Sequence, residues 1–171
     1  MPEIMPFGKY SGLSIEQIAL KDYKYFTWAI DVVSKQSLKE RFNFVEHVVN
    51  NFVSVKSCYG RECDKPANFI SIYYGSIYSP GDTRVSSFDF IYCSNDCFNR
   101  DGKVAFEKAN LEPLIFRTAL SQTKIETNEL IKIMTMCMGL RDGRWTKEYL
   151  EDFFNKCQLK LPYTSEIFIK F

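Results

Sequence analysis

Apolar residues in the first 53 positions recur at intervals of three and four, which is the spacing of amphipathic helices. The spacing of Ser14 and Gln17 predicts a capping box on a first helix, and Asp22 is placed to cap a second. Ser37 and Glu40 predict a second capping box, on a third helix. The expected apolar faces comprise Leu13 and Ile18 as a staple on the first helix, Tyr23, Phe26, Ile30 and Val33 on the second, and Leu38, Phe42, Val45, Val49 and Phe52 on the third.

Between residues 55 and 91 the pattern shifts to β-branched and aromatic residues. Segments 68–74 and 85–91 have the composition of strands, and the Ser-Pro-Gly-Asp sequence at 79–82 supplies a turn between them. We therefore predict a β-hairpin, followed by a short helix over 99–110.

Helical intervals return in the last third of the chain. A helical segment is predicted over 113–121, Thr127 is expected to cap the next helix, and Thr146 is expected to cap the last. The alternating tail at 165–171 predicts a closing strand. The expected apolar faces comprise Leu130, Ile133, Met134 and Cys137, and then Tyr149, Phe153, Phe154 and Cys157.

Together these elements predict an α+β protein in three parts: a glycine-loop helical module at 1–53, a four-cysteine finger made of a β-hairpin and a helix at 54–110, and a helical C-terminal region at 111–171. The sequence leaves open whether the first part is an independent domain. With 171 residues, 46% apolar and 16% aromatic, the chain can bury a core. It has no run of 18 apolar residues, so no membrane-spanning helix is expected.

Four cysteines carry the clearest chemistry in the sequence. They form two close pairs, with four residues inside the first pair, three inside the second and 29 between the pairs. The second pair lies where an apolar run gives way to capping residues, which predicts one thiolate on a strand and one on a helix. This spacing predicts a closed, tetrahedral, structural site for one Zn²⁺ ion. The expected ligands are Cys58, Cys63, Cys93 and Cys97.

Two other interpretations of these cysteines stay open: two disulfides, or small buried core residues. Cys137 and Cys157 have no close cysteine neighbour in the sequence, and the first residues have neither the basic start nor the apolar run of a signal peptide. We therefore expect an intracellular, reducing compartment, which favours zinc over disulfides.

Candidate nucleic-acid contacts lie in two places. Basic side chains flank the cysteines, with Tyr59 and Phe98 as candidate stacking groups. In the loop at 5–12, two glycines allow a sharp turn from which Lys9 and Tyr10 are expected to project. The alternative is that these basic side chains are ordinary solvated surface charges without a nucleic-acid partner. The net charge of only +1 is consistent with that alternative, because binding through bulk charge would require an excess of basic residues. The flanking basic residues are Lys56, Arg61, Lys65, Arg100 and Lys103, and the acids that balance them are Glu62, Asp64, Asp96 and Asp101.

The residue types needed for catalysis are missing from the sequence. His47 is the only histidine, and its place beside an apolar helix face predicts a partly buried packing residue. A hydrolytic zinc site needs histidines, a carboxylate base and an open coordination position. Met134, Met136 and Met138 are expected to fill the core or to form an adaptable groove. We therefore predict a protein that is not an enzyme.

Two stretches resemble known families. The sequence MPFGKYSGL at 5–13 with IEQI at 15–18 resembles the small module at the C-terminus of exonuclease-X-type DNA exonucleases, which carries no catalytic carboxylates. That resemblance covers about the first thirty residues and implies assistance in nucleic-acid engagement.

The second resemblance covers the cysteines and the residues after them. YCSNDC at 92–97 is similar to an FCS-type zinc finger, and it is followed by LEPLIF at 111–116 and LRDG at 140–143. This order resembles the late transcription factor 2 family of poxviruses and related large DNA viruses, including the African swine fever virus member. The resemblance implies a zinc-finger activator of late viral transcription in host cytoplasmic factories, with the four cysteines as ligands. The first cysteine pair departs from the family, since four residues replace the usual two.

The hypothesis that follows is a non-enzymatic, nucleic-acid-associated regulator, with DNA or the transcription machinery as its partner and no membrane association. The alternative is a zinc-stabilised adaptor that docks to a polymerase subunit or to a host signalling factor. Charge neutrality favours the adaptor, as do the aromatic side chains of Tyr73, Tyr74 and Tyr78, which are candidates for exposure.

Overall fold

The computed structural model describes residues 2–73, 90–102 and 109–160. Its strands are β1 (Phe69–Tyr73), β2 (Phe90–Tyr92) and β3 (Ala109–Pro113), which form one antiparallel sheet in the order β2–β1–β3. Its helices are α1 (Ile15–Lys21), α2 (Tyr23–Val32), α3 (Gln36–Asn51), α4 (Asn95–Cys97), α5 (Lys124–Met138) and α6 (Lys147–Lys156). The predicted α+β class is confirmed.

The first two helices begin where the sequence predicts. Ser14 and Gln17 form a reciprocal capping box on α1, and the Asp22 carboxylate caps α2. The apolar spacing then directs Ile18 and Phe26 into the core, where both are fully buried. Both predicted starts are confirmed.

The capping box predicted for the third helix is wrong. Helix α3 begins at Gln36, so Ser37 lies inside the first turn and not at the cap position. Lys35 holds that position with extended backbone and without a side-chain cap. The stability of α3 therefore comes from its apolar face, on which Phe42 and Val45 are fully buried.

The first predicted hairpin strand is present as β1, and the described end of the second, Phe90 and Ile91, belongs to β2, while residues 74 and 85–89 lie outside the described residues. The two strands pair antiparallel, with Phe69 opposite Tyr92, which brings the two cysteine-bearing segments to the same end of the sheet. The predicted turn at 79–82 and the predicted closing strand at 165–171 lie outside the described residues.

The helix predicted over 99–110 does not reach its predicted end, and its middle, residues 103–108, lies outside the described residues. A single π-helical turn occupies Phe98–Gly102, and the chain from Ala109 onward is a strand that pairs with β1. Pairing with β1 gives the backbone groups on one edge of β3 their hydrogen-bond partners. After β3, the segment predicted over 113–121 forms a 3₁₀ helix at Phe116–Ser121.

The start of α5 also differs from the prediction. Thr123 and Glu126 form its capping box, and Thr127 lies inside the first turn, where its hydroxyl donates to the Ala119 carbonyl at 3.0 Å. The sequence contains both threonines, and the glutamate three residues after Thr123 identifies the true cap. Thr146 caps α6, as predicted.

One hydrophobic core joins the two ends of the chain. It contains Ile18 of α1, Phe42 of α3, Ile70 of β1, Met134 of α5 and Phe154 of α6, each of them fully or almost fully buried. The first 53 residues therefore pack against the C-terminal helices. The division of the chain at residues 53/54 and 110/111 stays a prediction.

An ion pair with one fully buried partner lies beside this core. Arg41 of α3 pairs with Glu16 of α1, whose side chain is fully buried, and also donates to Asn155 of α6 at 3.0 Å. Three helices distant in sequence are thereby linked by one guanidinium.

In the part of the chain that the structure describes, no helix has the length and apolar character needed to cross a lipid bilayer.

Candidate metal centre

The four predicted ligand sulfurs lie together. Their Sγ atoms are all within 4.8 Å of one another, with Cys63 and Cys93 at 3.6 Å and Cys93 and Cys97 at 3.5 Å. Zinc–sulfur bonds of about 2.3 Å in a tetrahedron place sulfurs about 3.8 Å apart. A disulfide would need about 2.05 Å, and all four cysteines are free thiols. The donor set therefore fits a metal ion and excludes the two-disulfide interpretation for this structure.

The first pair sits on a tight turn that we call the knuckle, residues 58–63. The Gly60 amide donates to Cys58 Sγ at 3.2 Å, and the Cys63 amide donates to the Gly60 carbonyl at 3.1 Å. Glu62 has a φ of 55°, so a left-handed residue turns the chain back toward Cys63. Two extra residues relative to the usual pair are accommodated in this way.

The second pair has the predicted arrangement. Cys93 follows β2 directly and Cys97 ends α4, so one thiol lies on a strand end and the other on a helix. Ser94 Oγ accepts from the Cys97 amide at 3.3 Å and caps the helix. The Asn68 side chain, next to β1, donates to the Cys93 carbonyl at 3.3 Å.

A second layer of contacts braces the knuckle, and sequence reasoning did not identify it. Asp101 Oδ2 accepts from the Arg61 amide at 2.9 Å and from Arg100 Nε at 3.1 Å, while Arg100 also donates to the Arg61 carbonyl at 3.1 Å. Burial acts to raise the pKa of Asp101, but the Arg61 amide and the Arg100 guanidinium outweigh it, so the pKa lies below its usual value. A Cβ on Gly60 would lie 3.2 Å from Cys97 Cβ, so glycine permits this close packing.

The thiols differ in how readily they ionise. Desolvation raises the pKa of Cys93 to about 12, and the neighbouring Cys97 thiol adds to the shift. Desolvation also raises the pKa of Cys58, whereas the Lys65 amide lowers the pKa of Cys63 by donating to its sulfur. Four adjacent thiolates need a cation to offset their charge, and metal binding displaces the thiol protons. Four sulfur donors leave no open position, which is typical of structural zinc.

Four of the five basic residues that were predicted to flank the four cysteines have exposed side chains near them. Lys56, Arg61 and Lys65 lie on or beside the knuckle, whereas Arg100 is committed to the brace described above. Lys103, Tyr74 and Tyr78 lie outside the described residues. The acidic residues interspersed with these cations are also exposed: Glu62, Asp64 and Asp96.

The two predicted stacking groups have different environments. Tyr59 is 60% exposed and contacts Phe90 edge-on, whereas Phe98 is 5% exposed. The expectation of an available Phe98 is wrong, because its ring packs against Tyr92 in a small core that also contains Cys58. Aromatic stacking on the knuckle therefore rests on Tyr59.

The glycine loop at 5–12 is a closed turn. The Lys9 side chain is 65% exposed, but Tyr10 is only 8% exposed, so the expectation that both project outward is wrong for Tyr10. Its hydroxyl donates at 2.8 Å to Asp22, which also pairs with Lys9 at 3.1 Å. The carboxylate that caps α2 thus also anchors the loop, and no signal in the spacing revealed this second role.

Other residues singled out in the sequence have structural roles. His47 is exposed on α3 beside Asn51, so the expected partial burial is wrong. Met134 and Met138 are buried in the core, as predicted, and Met136 is 37% exposed.

No protein-family model, curated protein or solved structure matches the chain. The class of protein therefore follows from its own features: an α+β chain with a cluster of four cysteines that could hold a metal ion.

Proposed function

We propose that this protein holds one structural Zn²⁺ ion and acts as a non-enzymatic, nucleic-acid-associated regulator. The observation that carries the proposal is the tetrad of thiols, which joins the knuckle to the end of β2 and to α4. Bound zinc would fix the knuckle against the sheet, since structural zinc contributes about 10 kcal/mol or more to such folds. The ligands are Cys58, Cys63, Cys93 and Cys97.

The nucleic-acid surface would be centred on the knuckle. Lys56, Arg61 and Lys65 are exposed there, next to the exposed ring of Tyr59. Cations that contact phosphates together with an aromatic ring that stacks on a base are the parts of a single-strand binding surface. Lys9, Arg100 and Lys103 are further candidate contacts.

The biological role rests on the resemblance to the late transcription factor 2 family. We infer a viral late gene transcription factor that works in the reducing cytoplasm of the host, at viral factories. Free thiols throughout the described residues agree with a reducing compartment.

Salt-dependent binding to DNA and RNA tests this function. Fluorescently labelled single- and double-stranded oligonucleotides would be titrated at two salt concentrations, with wild type and a Lys56→Glu/Lys65→Glu variant. We expect affinity to fall as salt rises, and the variant to bind more weakly with a salt slope smaller by about one for each phosphate that is no longer neutralised. Lys39→Glu is the matched control, because Lys39 is exposed on α3 away from the cysteines in sequence. Binding that ignores both salt and the double substitution contradicts the proposal.

A protein-interaction adaptor is the second candidate function. It is favoured by the exposed acids between the knuckle cations and by exposed apolar side chains next to the centre, such as Val55 at 65%. Its partner would be a polymerase subunit or a host signalling factor. Zinc-loaded protein that binds none of the oligonucleotides would favour this function over the first.

A further inference from the structure

A groove separates the knuckle from helix α5. It has a volume of about 450 Å³, which is within the range of ligand-binding sites. One wall comes from the segment around the first cysteine and the other from α5, with β2 between them. The residues that line it and carry the argument are Lys56, Tyr59, Ile91, Ile133, Met136 and Cys137.

Backbone hydrogen bonds fix both walls of the groove. The Val55 amide donates to the Cys137 carbonyl at 2.8 Å, and the Tyr59 amide donates to the Ile91 carbonyl at 2.8 Å. Cys58 lies between these two anchors. The segment that forms the wall is therefore positioned by the metal centre as well as by α5 and β2, and the shape of the groove depends on the metal.

The groove is apolar except for one cation. Ile91, Ile133 and Met136 supply apolar surface, and the only charged side chain among the described lining residues is Lys56. No carboxylate among those residues offsets the ammonium group. A ligand that complements this lining carries apolar side chains and a carboxylate.

The groove is open along its length and not enclosed. Tyr59 is 60% exposed and Met136 is 37% exposed, while the neighbouring Val55 is 65% exposed. Small-molecule sites bury about 70–90% of their ligand, and a small molecule would leave these side chains in water. A peptide segment that runs through the groove and beyond it would cover them. Tyr and Met are also enriched in protein interfaces.

We propose that this groove binds a short peptide segment of a partner protein that combines apolar side chains with a carboxylate. The carboxylate pairs with Lys56, and the apolar side chains pack between the face of α5 that carries Met136 and the ring of Tyr59. This inference rests on the proposed metal centre and deepens the adaptor function by naming the chemistry of the partner. It does not depend on nucleic-acid binding.

Selection from a displayed library of random octapeptides tests the proposal on the zinc-loaded full chain. We expect enriched peptides to combine Leu, Ile or Phe with Asp or Glu. Fluorescence anisotropy with an enriched peptide should show affinity at least about tenfold weaker for Lys56→Glu, which reverses a charge interaction worth more than about 1.4 kcal/mol. The matched control Lys39→Glu should bind like the wild type, since it makes the same charge change outside the groove.

A charge exchange distinguishes a broken ion pair from a misfolded chain. The enriched peptide, resynthesised with Lys in place of its acidic residue, should bind Lys56→Glu more tightly than it binds the wild type. Adding the surface substitution Met136→Ala should weaken binding of the acidic peptide to wild type and of the lysine peptide to Lys56→Glu. Removal of zinc with a chelator should abolish binding of both peptides.

Three results would overturn the proposal. The first is no enrichment over a parallel selection on Lys56→Glu, and the second is equal affinity of the enriched peptide for the Lys56→Glu and Lys39→Glu variants. The third is binding of the aromatic sulfonate 8-anilinonaphthalene-1-sulfonate in the groove without any peptide binding, which would identify a small-molecule site. Zinc content is measured on the same samples. A zinc-loaded protein that fails to bind peptide therefore overturns the groove and leaves the metal centre intact.

Discussion

The ion pair between Glu16 and Arg41 gives a quantitative test of how the two ends of the chain are joined. Replacing Glu16 with Gln keeps the shape and a hydrogen-bond acceptor but removes the charge that compensates Arg41. In the folded state Glu16 is 0% exposed and the Arg41 side chain is 16% exposed, so water cannot fully solvate the guanidinium. Arg41 keeps its hydrogen bond to Asn155 at 3.0 Å and its position over the ring of Phe44 at 4.8 Å.

The magnitude follows from these exposures. Removing one partner of a buried ion pair costs about 3–5 kcal/mol. Because Arg41 stays partly exposed and keeps two other interactions, we expect Glu16→Gln to lower the free energy of unfolding by the smaller of these values, about 3 kcal/mol. With an m-value of about 2 kcal/mol/M, this lowers the urea midpoint by about 1.5 M. Out of a typical total stability of about 5–15 kcal/mol, the decrease is substantial.

Urea denaturation followed by tryptophan fluorescence measures the effect. The matched control is Glu46→Gln, which removes the partner of Arg117 in a pair whose side chains are 24% and 62% exposed. An exposed pair contributes at most about 1 kcal/mol, so its midpoint should move by less than about 0.5 M. Equal shifts for the two variants would refute the argument that burial, and not the pairing itself, sets the cost.

Further predictions concern the metal centre and the glycine loop. Gly60→Ala should lower zinc affinity about tenfold or more in competition with a zinc-binding chromophore, because its new Cβ would lie 3.2 Å from Cys97 Cβ and 3.3 Å from Cys58 Sγ. Unchanged affinity would show that the turn relaxes freely. Asp101→Asn should lower zinc affinity about 10–100-fold in the same assay, because it removes the carboxylate that accepts from the Arg61 amide. The control is Asp96→Asn, since Asp96 is exposed. Equal losses of affinity in the two variants would contradict the role of Asp101 in holding the knuckle. Burial acts to raise the pKa of Asp22, but hydrogen bonds from Tyr25, Tyr10 and Lys9 outweigh it and lower the pKa. A lowered folded pKa means that this carboxylate stabilises the fold above the unfolded value of about 3.9 and stops doing so as pH falls through the folded value. Asp22→Asn should therefore flatten the loss of stability below about pH 4 in acid titrations followed by circular dichroism, and an unchanged slope would count against the predicted linkage.

Local signals in the sequence were enough to predict much of the helical framework. Ser14, Asp22 and Thr146 were identified as caps because each signal acts within one turn of the chain. The error at Thr127 was avoidable, because Glu126 lies three residues after Thr123 and forms the capping box with it. The error at Ser37 was not, because Lys35 precedes α3 and makes no side-chain cap hydrogen bond that a sequence signal could reveal.

The strand β3 could not be predicted because its pairing is entirely non-local. The sequence at 109–113 has no strong alternation, and its partner β1 lies at 69–73. The same limit explains why Glu16 and Arg41 were not linked in advance. Their distance along the chain gives no sign of an interaction, and the partner Asn155 comes from the opposite end.

At the candidate metal centre, the grouping of the four thiols was predictable and their environment was not. Paired cysteines at close spacing have few alternatives in a reducing compartment, so the four thiols could be grouped from the sequence. The roles of Asp101 and Arg100 depend on how the π-helical turn packs on the knuckle. Tyr10 was expected to be free because its loop has two glycines, yet its ring packs edge-on against Tyr25 and its hydroxyl donates to Asp22, so the residue is only 8% exposed.

Metal analysis combined with X-ray absorption tests the central claim most directly. Protein purified under reducing conditions and supplied with zinc should contain one zinc ion per chain, surrounded by four sulfurs at about 2.3 Å. A Cys137→Ser control should keep the metal, and Cys93→Ser should lose it or bind it far more weakly. A chain that binds no zinc, or whose zinc is coordinated by fewer sulfurs with nitrogen or oxygen in their place, would contradict a tetrathiolate centre.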